Sequence, residues 1–244
     1  MILEVKNITK NFQGIVAIKN LSLSINEGEL RCIIGPNGSG KTTLFNLITG
    51  HFKPTCGQVL FDGQDITGMN IPDTSSLGIC RKFQNPNIFG DLLVSDNLRV
   101  AAISEHKISS LFKKKEDSLI DREVERILEL IGLKNKSDWF AASLSHGEKQ
   151  WLEIGMVLIK KPKIVLLDEP TAGMTSQETR KTAELIKGIG SDVTCIVIEH
   201  DLDFIRSIGG KITVLNRGEF LAEGLYEEIA ANQVVRDVYL GDEV

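Results

Sequence analysis

Residues Ile33–Leu44 read IIGPNGSGKTTL, and the reading of the whole chain starts there. Gly35-Pro-Asn-Gly-Ser-Gly-Lys-Thr42 fits, at every defined position, the pattern of a loop that cradles phosphates. Gly35, Gly38 and Gly40 permit backbone turns that other residues resist, so successive N–H groups can face a phosphate chain. Lys41 is then placed to reach the β- and γ-phosphates of a nucleotide, and the Thr42 hydroxyl to bind Mg²⁺. The context agrees. An apolar strand, LRCIIG, precedes the loop, and a helical pattern follows it through Ile48, stopped by Gly50 with Pro54 beyond.

Working outward, the N-terminal side alternates apolar and polar residues in ILEVKNIT (Ile2–Thr9) and IKNLSLSI (Ile18–Ile25), the period of half-buried strands. QVLFDGQDI (Gln58–Ile66) reads as a strand and turn, and LGICRKFQ (Leu77–Gln84) as a strand ending in a polar loop. From about Ser95 to Lys160 the period becomes helical; Ile120, Val124, Ile127, Leu128 and Ile131 share one helix face. The last third alternates apolar strands (KIVLLDE, VTCIVIE, KITVL) with helices, which predicts a parallel sheet covered on both faces. The expected architecture is α/β. Residues 1–85 and 161–244 form the core, with an N-terminal antiparallel β part, and residues 86–160 form an inserted helical part of one domain.

Two strand ends carry carboxylates. Ile164–Pro170, IVLLDEP, ends in Asp168 and Glu169 at the sheet edge where ligands of parallel sheets collect. Asp168 is the candidate Mg²⁺ holder and Glu169 the candidate general base toward an attacking water. CIVIEHD (Cys195–Asp201) repeats the design, with His200 within reach of a γ-phosphate and Asp201 as a helix N-cap. Gln84, at the end of its strand, can contact Mg²⁺ or the attacking water, or be an ordinary polar loop residue. Ser145-x-x-Glu148 and Thr175-x-x-Glu178 both have the spacing of capping boxes, a local helix-start device that needs no ligand. The run FKKKED (Phe112–Asp117) reads as a solvated loop between two helices, since two acids follow its lysines at once.

Taken together, these motifs resemble the ATP-binding cassette (ABC) family of ATPases, in order and spacing across the whole chain. The motifs are the phosphate loop, Gln84, a signature at Leu144–Glu148, the acidic strand and His200. The resemblance implies a P-loop NTPase fold and ATP hydrolysis. It also implies a nucleotide surface made by Gly35, Pro36, Asn37, Gly38, Ser39, Gly40, Lys41, Thr42 and Thr43, with Phe12 stacked on adenine. Ser145, Gly147 and Glu148 would bind the γ-phosphate of ATP held by a second cassette facing head to tail. Catalytic roles fall on Glu169, His200 and Gln84, and Mg²⁺ on Thr42, Gln84 and Asp168. The signature reads LSHGE where LSGGQ is usual, and Thr175 stands where many members carry Asp. His146 in that signature either titrates near the phosphate or packs at the helix start.

RKFQNPNIFGDLLVSDNL, SHGEKQWLEIGM and the closing VYLG resemble the branched-chain amino acid importer subclass, and within it urea importers. That resemblance implies a subunit powering uptake of a small polar solute, urea or a short-chain amide. Branched-chain amino acid import and lipopolysaccharide export are the alternatives. Membrane permease subunits would be partners, through an apolar patch near Phe83, Ile88 and Phe89, with a periplasmic binding protein upstream.

Bulk properties narrow the field further. A net charge of −5 offers no basic field for nucleic acid. No apolar run reaches the roughly 18 residues of a bilayer span, and MILEVKNITK lacks the charged start and apolar run of a signal peptide. Cys32, Cys56, Cys80 and Cys195 show no metal spacing and read as reduced thiols. The expected location is cytoplasmic, on the inner face of the cell membrane.

Overall fold

Alternating side chains bury one face of two long strands at the start of the chain. The computed structural model describes residues 1–82, 88–103, 114–190 and 193–240. β1 (Leu3–Phe12) buries Leu3, Val5 and Ile8, and β2 (Ile15–Ile25) buries Ile18, Leu21, Leu23 and Ile25. The step from Val5 to Ile8 breaks strict alternation. A register shift lies there, and Asn7 takes φ 49°, so the strand turns its apolar face back inward after the bulge.

The chain continues through β3 (Leu30–Ile34), α1 (Lys41–Ile48), β4 (Cys56–Phe61), β5 (Gln64–Asp65), α2 (Ile71–Ser76) and β6 (Ile79–Lys82). Next come α3 (Val94–Ala102), α4 (Lys114–Leu130), α5 (His146–Leu158), β7 (Ile164–Asp168) and α6 (Ser176–Ile189). Last are β8 (Thr194–Ile198), α7 (Leu202–Ile208), β9 (Lys211–Asn216), β10 (Glu219–Gly224), α8 (Tyr226–Ala231) and α9 (Gln233–Leu240). Lys114–Asp117 form the first turn of α4, so the basic run expected as a loop is partly helical.

Two sheets result. A four-stranded sheet has the order β2-β1-β4-β5, with antiparallel pairs throughout. A six-stranded sheet has the order β10-β9-β3-β8-β7-β6. Within it β3 runs parallel to β8 and β9, β7 runs parallel to β8, and β10 returns antiparallel on β9. The largely apolar strands β7 and β8 are buried at every position, as expected for strands covered on both faces.

The chain separates into two compact units. The first comprises Met1–Arg81, Lys163–Pro170 and Ile186–Val244. Its core joins Leu3, Ile8 and Val59 of the antiparallel sheet, Leu44, Phe45 and Ile48 of α1, and Ile33, Leu166 and Ile196 of the parallel sheet. Cys32 and Cys195 are buried thiols on β3 and β8; burial, with Glu199's charge added, pushes the Cys32 pKa up to about 12. Arg31 is almost fully buried at 1% exposure and is surrounded by acceptors. It donates to Glu29 Oε1 at 2.7 Å, Thr213 Oγ1 at 2.7 Å and the Ser24 carbonyl at 3.1 Å, and it pairs with Glu223. Lys211 also pairs with Glu223, so one small network ties β2, β3, β9 and β10.

The second unit comprises Lys82–Pro162 and Thr171–Leu185. The helical face foreseen in α4 is its core: Val124, Ile127 and Leu128 are buried, with Ile131 just beyond the helix. Gly155 on α5 lets two helices close on it. A Cβ there would lie 2.9 Å from Ile131 Cδ1, 3.0 Å from Ile127 Cγ2 and 3.2 Å from Leu98 Cδ2. Gly155→Val is therefore expected to overpack this unit and destabilise it by about 1–3 kcal/mol, measured by denaturant unfolding. The stretch 171–185 joins this unit because its side chains grip α5. Trp151 Nε1 donates to Thr182 Oγ1 at 2.9 Å, and Lys181 Nζ lies 4.0 Å from the Trp151 ring. Among the described residues no helix is long and apolar enough to cross a membrane.

Candidate nucleotide site

In the first unit the phosphate loop links β3 to α1. Gly40 caps α1 at φ 101°, and Gly38 takes φ 78° with nothing within 4 Å of where a Cβ would project. Gly35 cannot be replaced for a different reason: a Cβ there would sit 2.1 Å from the Leu215 carbonyl oxygen. Lys41 lies across its own loop, with Nζ donating to the Gly35 and Pro36 carbonyls at 2.7 and 3.0 Å. Burial lowers its pKa, while the nearby charges of Glu169 and Asp168 oppose that shift. Asn37, Gly38 and Thr42 are exposed, and Thr43 is half-buried.

Ser39 Oγ is buried and has no hydrogen-bond partner among the described residues. A buried hydroxyl left in that state costs about 1–3 kcal/mol, and a phosphate oxygen is an acceptor of the right kind. The open backbone at Gly38, this hydroxyl and the lysine at the helix start all suit a nucleotide triphosphate. The donor set for Mg²⁺ fits as well. Mg²⁺ takes a hydroxyl, a carboxylate, phosphate oxygens and water, and needs no all-protein cage. Thr42 and Asp168 supply the first two, while clusters of three or more His, Cys, Asp or Glu are absent among the described residues.

The parallel register brings the two acidic strand ends together. Asp168 pairs with Ile198, and the Glu169 amide donates to the Ile198 carbonyl at 2.9 Å. Glu169 adopts φ 45°, a left-handed conformation that costs a side-chain-bearing residue on the order of 1 kcal/mol. Its carboxylate lies 4.0 Å from His200 Nδ1 on the neighbouring strand end. His200 is held at its base, where its amide donates to the buried Glu199 carboxylate at 3.1 Å. Asp201 caps α7 by accepting from the Asp203 and Phe204 amides. Asp168 is only 5% exposed and is held by Arg81, whose Nη2 donates to Oδ2 at 2.6 Å. Arg81 is not among the site residues expected from the sequence; the available signal is two adjacent cations, Arg81 and Lys82, in a strand that opens with Ile79 and Cys80.

Phe12 ends β1, half-buried, at the hairpin turn Gln13–Gly14. Its ring packs edge-on against Phe52 with centroids 5.1 Å apart, and Lys10 Nζ lies 4.8 Å from it.

In the second unit α5 starts at the signature. Both halves of its capping box are made: the Glu148 amide donates to Ser145 Oγ at 3.2 Å, and the Ser145 amide to Glu148 Oε2 at 3.1 Å. Lys136 holds the Glu148 carboxylate at 2.6 Å. Thr175 and Glu178 form the second expected box. Glu178 also lies over the start of α5. It accepts from Ser145 Oγ at 3.2 Å, and a Cβ on Gly147 would meet Glu178 Oε1 at 2.5 Å. Donors from Thr175, joined by Ser145 and Gly147, hold the Glu178 carboxyl below the usual range. The His146 ring faces the loop after Pro170, with Nε2 3.0 Å from the Ala172 carbonyl. That contact favours the packing reading of His146. Phe83 and Gln84 lie outside the described residues. Beyond them Phe89, Trp139 and Phe140 are each about half exposed or more, and main-chain bonds between Leu92–Val94 and Trp139–Ala141 join their segments.

The profile of the ABC transporter family matches residues 18–172. This chain belongs to the ABC transporter family. It has the ABC ATPase fold and is an ATP-hydrolysing cassette. The cassette is 36% identical over 250 residues to the high-affinity branched-chain amino acid transport ATP-binding protein BraF of Pseudomonas aeruginosa, covering 99% of this chain and 98% of the relative. It is 35% identical over 251 residues to LivG of Escherichia coli K12, with 99% and 98% covered. Among solved structures it is similar to the ADP conformation of MJ1267, an ATP-binding cassette of an ABC transporter. That likeness has a TM-score of 0.86, 32% identity and 98% of each chain covered. It is also similar to the ADP- and Pi-bound dimer of the cassette MJ0796, with a TM-score of 0.78, 28% identity, and 92% of this chain and 98% of that one covered. Both relatives carry branched-chain amino acids in their names, and urea appears in neither name.

Proposed function

We propose that this cassette powers an importer of branched-chain amino acids, working as one of a head-to-tail pair beneath membrane permease subunits. The observation that carries the reading is similarity along 99% of the chain to subunits named for that transport. Urea import remains the second reading, on the strength of the SHGEKQWLEIGM stretch.

In this reading Lys41 and the main-chain N–H groups from Asn37 to Thr43 hold the phosphates, and Phe12 stacks on the adenine. Ser145, Gly147 and Glu148 of the partner cassette close over the γ-phosphate, with the N–H groups at the start of α5 facing it. Thr42, Asp168 and Gln84 would hold Mg²⁺, which would supply positive charge to the phosphates. Glu169 takes a proton from the attacking water, and His200 stands beside it to contact the transferred group. ATP draws the pair together because it touches both cassettes only when they are closed. The exposed Phe89, Trp139 and Phe140 support an apolar contact with the permease, and in this reading the cassette works at the cytoplasmic face of the membrane.

The test is to purify the cassette with the membrane subunits that accompany it, reconstitute them with their solute-binding protein, and measure ATPase activity with leucine or with urea. Stimulation by leucine is expected. Stimulation by urea alone would move the assignment to the second reading, and stimulation by neither would remove both.

A further inference from the structure

We propose that Arg81 is a built-in counter-cation for Asp168, paired with it before nucleotide binds and displaced from it by the divalent cation that arrives with ATP. The proposal rests on the reading above in which Asp168 faces the metal. Arg81 Nη2 donates to Asp168 Oδ2 at 2.6 Å, and Nη1 donates to Asn46 Oδ1 at 2.6 Å. The guanidinium carbon lies 5.4 Å from the Phe45 ring. Both charged side chains are nearly buried, at 6% and 7% exposure.

An ionised carboxylate so placed needs a cation, since burying it alone costs far more than a neutral group would. Lys41 contributes charge nearby but spends its donors on the loop carbonyls. Arg81 meets the need with one arm of its fork, and with the other it reaches α1 at Asn46. Asn46 follows Thr42 by four residues and therefore lies on the same helix face. The guanidinium thus spans the two groups, Asp168 and the Thr42 face of α1, between which the metal would be held. One carboxylate oxygen bound to an arginine is a weaker ligand for a second cation. Arg81 is accordingly a positioning residue. It holds Asp168 in place while lowering its attraction for metal that comes without nucleotide. Arg81 sits on β6 and Asp168 at the end of β7, so the pair joins two strands of the parallel sheet.

The experiment measures ATP affinity with excess Mg²⁺ and with chelator, in a Glu169→Gln background that prevents turnover. The readout is the dissociation constant in chelator divided by that in Mg²⁺. Arg81→Gln is expected to raise that ratio roughly tenfold, the size a hydrogen bond to a charged group contributes. Asn46→Ala, which leaves both charges and frees one arm of the fork, is expected to raise it about twofold to fivefold by the same measure. Arg81→Gln/Asp168→Asn should show little Mg²⁺ dependence. A ratio in Arg81→Gln equal to the parent's would overturn the proposal; should that variant not fold, an unchanged ratio in Asn46→Ala overturns it. A parent that binds ATP equally with and without Mg²⁺ would instead remove the metal role of Asp168 itself.

Discussion

Glu169→Gln is expected to cut steady-state ATP hydrolysis by about 10²–10⁴-fold, the range that general-base catalysis supplies. The substitution keeps size and backbone conformation, including the amide bond to Ile198, and removes only the basic oxygen. Binding should survive, because Lys41 and the loop glycines are untouched. The trapped state should then accumulate as ATP-dependent dimers, visible by light scattering, and disperse when ATP is removed. A variant that still hydrolyses ATP at the parental rate would take Glu169 out of the general-base role. Hydrolysis lost without any dimer would place the fault in the closure of the pair.

Arg31→Met is expected to cost about 3–5 kcal/mol, the range for breaking a buried charge network from one side. That is a large share of a domain's total stability of roughly 5–15 kcal/mol. Glu29, Thr213 and Glu223 lose their common donor, and Lys211 and the Thr213 hydroxyl remain on Glu223. The effect has a pH signature. Burial alone would raise the Glu223 pKa, but the Lys211 hydrogen bond and the charges of Arg31 and Lys211 outweigh it and hold the group below its usual 4.5. A carboxyl lowered in the folded state contributes stability that is complete above its unfolded value and lost as pH falls through the folded one. The gap between parent and Arg31→Met should therefore narrow as pH drops below about 4.5. Denaturation midpoints at neutral pH and in acid check this, and a gap that stayed constant would show that the network acts by packing alone.

Much of the arrangement was legible because local chemistry dictated it. The phosphate loop declares itself through glycines at fixed offsets, and β7 and β8 through unbroken apolar runs. The capping boxes at Ser145 and Thr175 were readable from spacing, and both are made. α2 went unread although Asn70 and Pro72 announce its start, since Asn70 caps the Asp73 amide. β10, α8 and α9 were less legible because each buries, among the described residues, a single one: Gly224, Ile229 and Val235. The cargo was the least legible feature. The resemblance in SHGEKQWLEIGM points to urea, whereas the similar proteins are named for branched-chain amino acid transport.

The sequence by itself determined a phosphate-binding loop between a strand and a helix, acidic strand ends at Glu169 and Glu199, and a signature helix beginning at Ser145. Those features depend on neighbours within a few residues, where propensity and spacing act. Only the tertiary structure decided that Arg81 stands on Asp168, that Glu178 covers the start of α5, and that His146 turns to the Ala172 carbonyl. These pairs lie 26 to 87 residues apart, and strand register and helix packing bring them together. Side-chain partners at such distances leave no period or spacing along the chain.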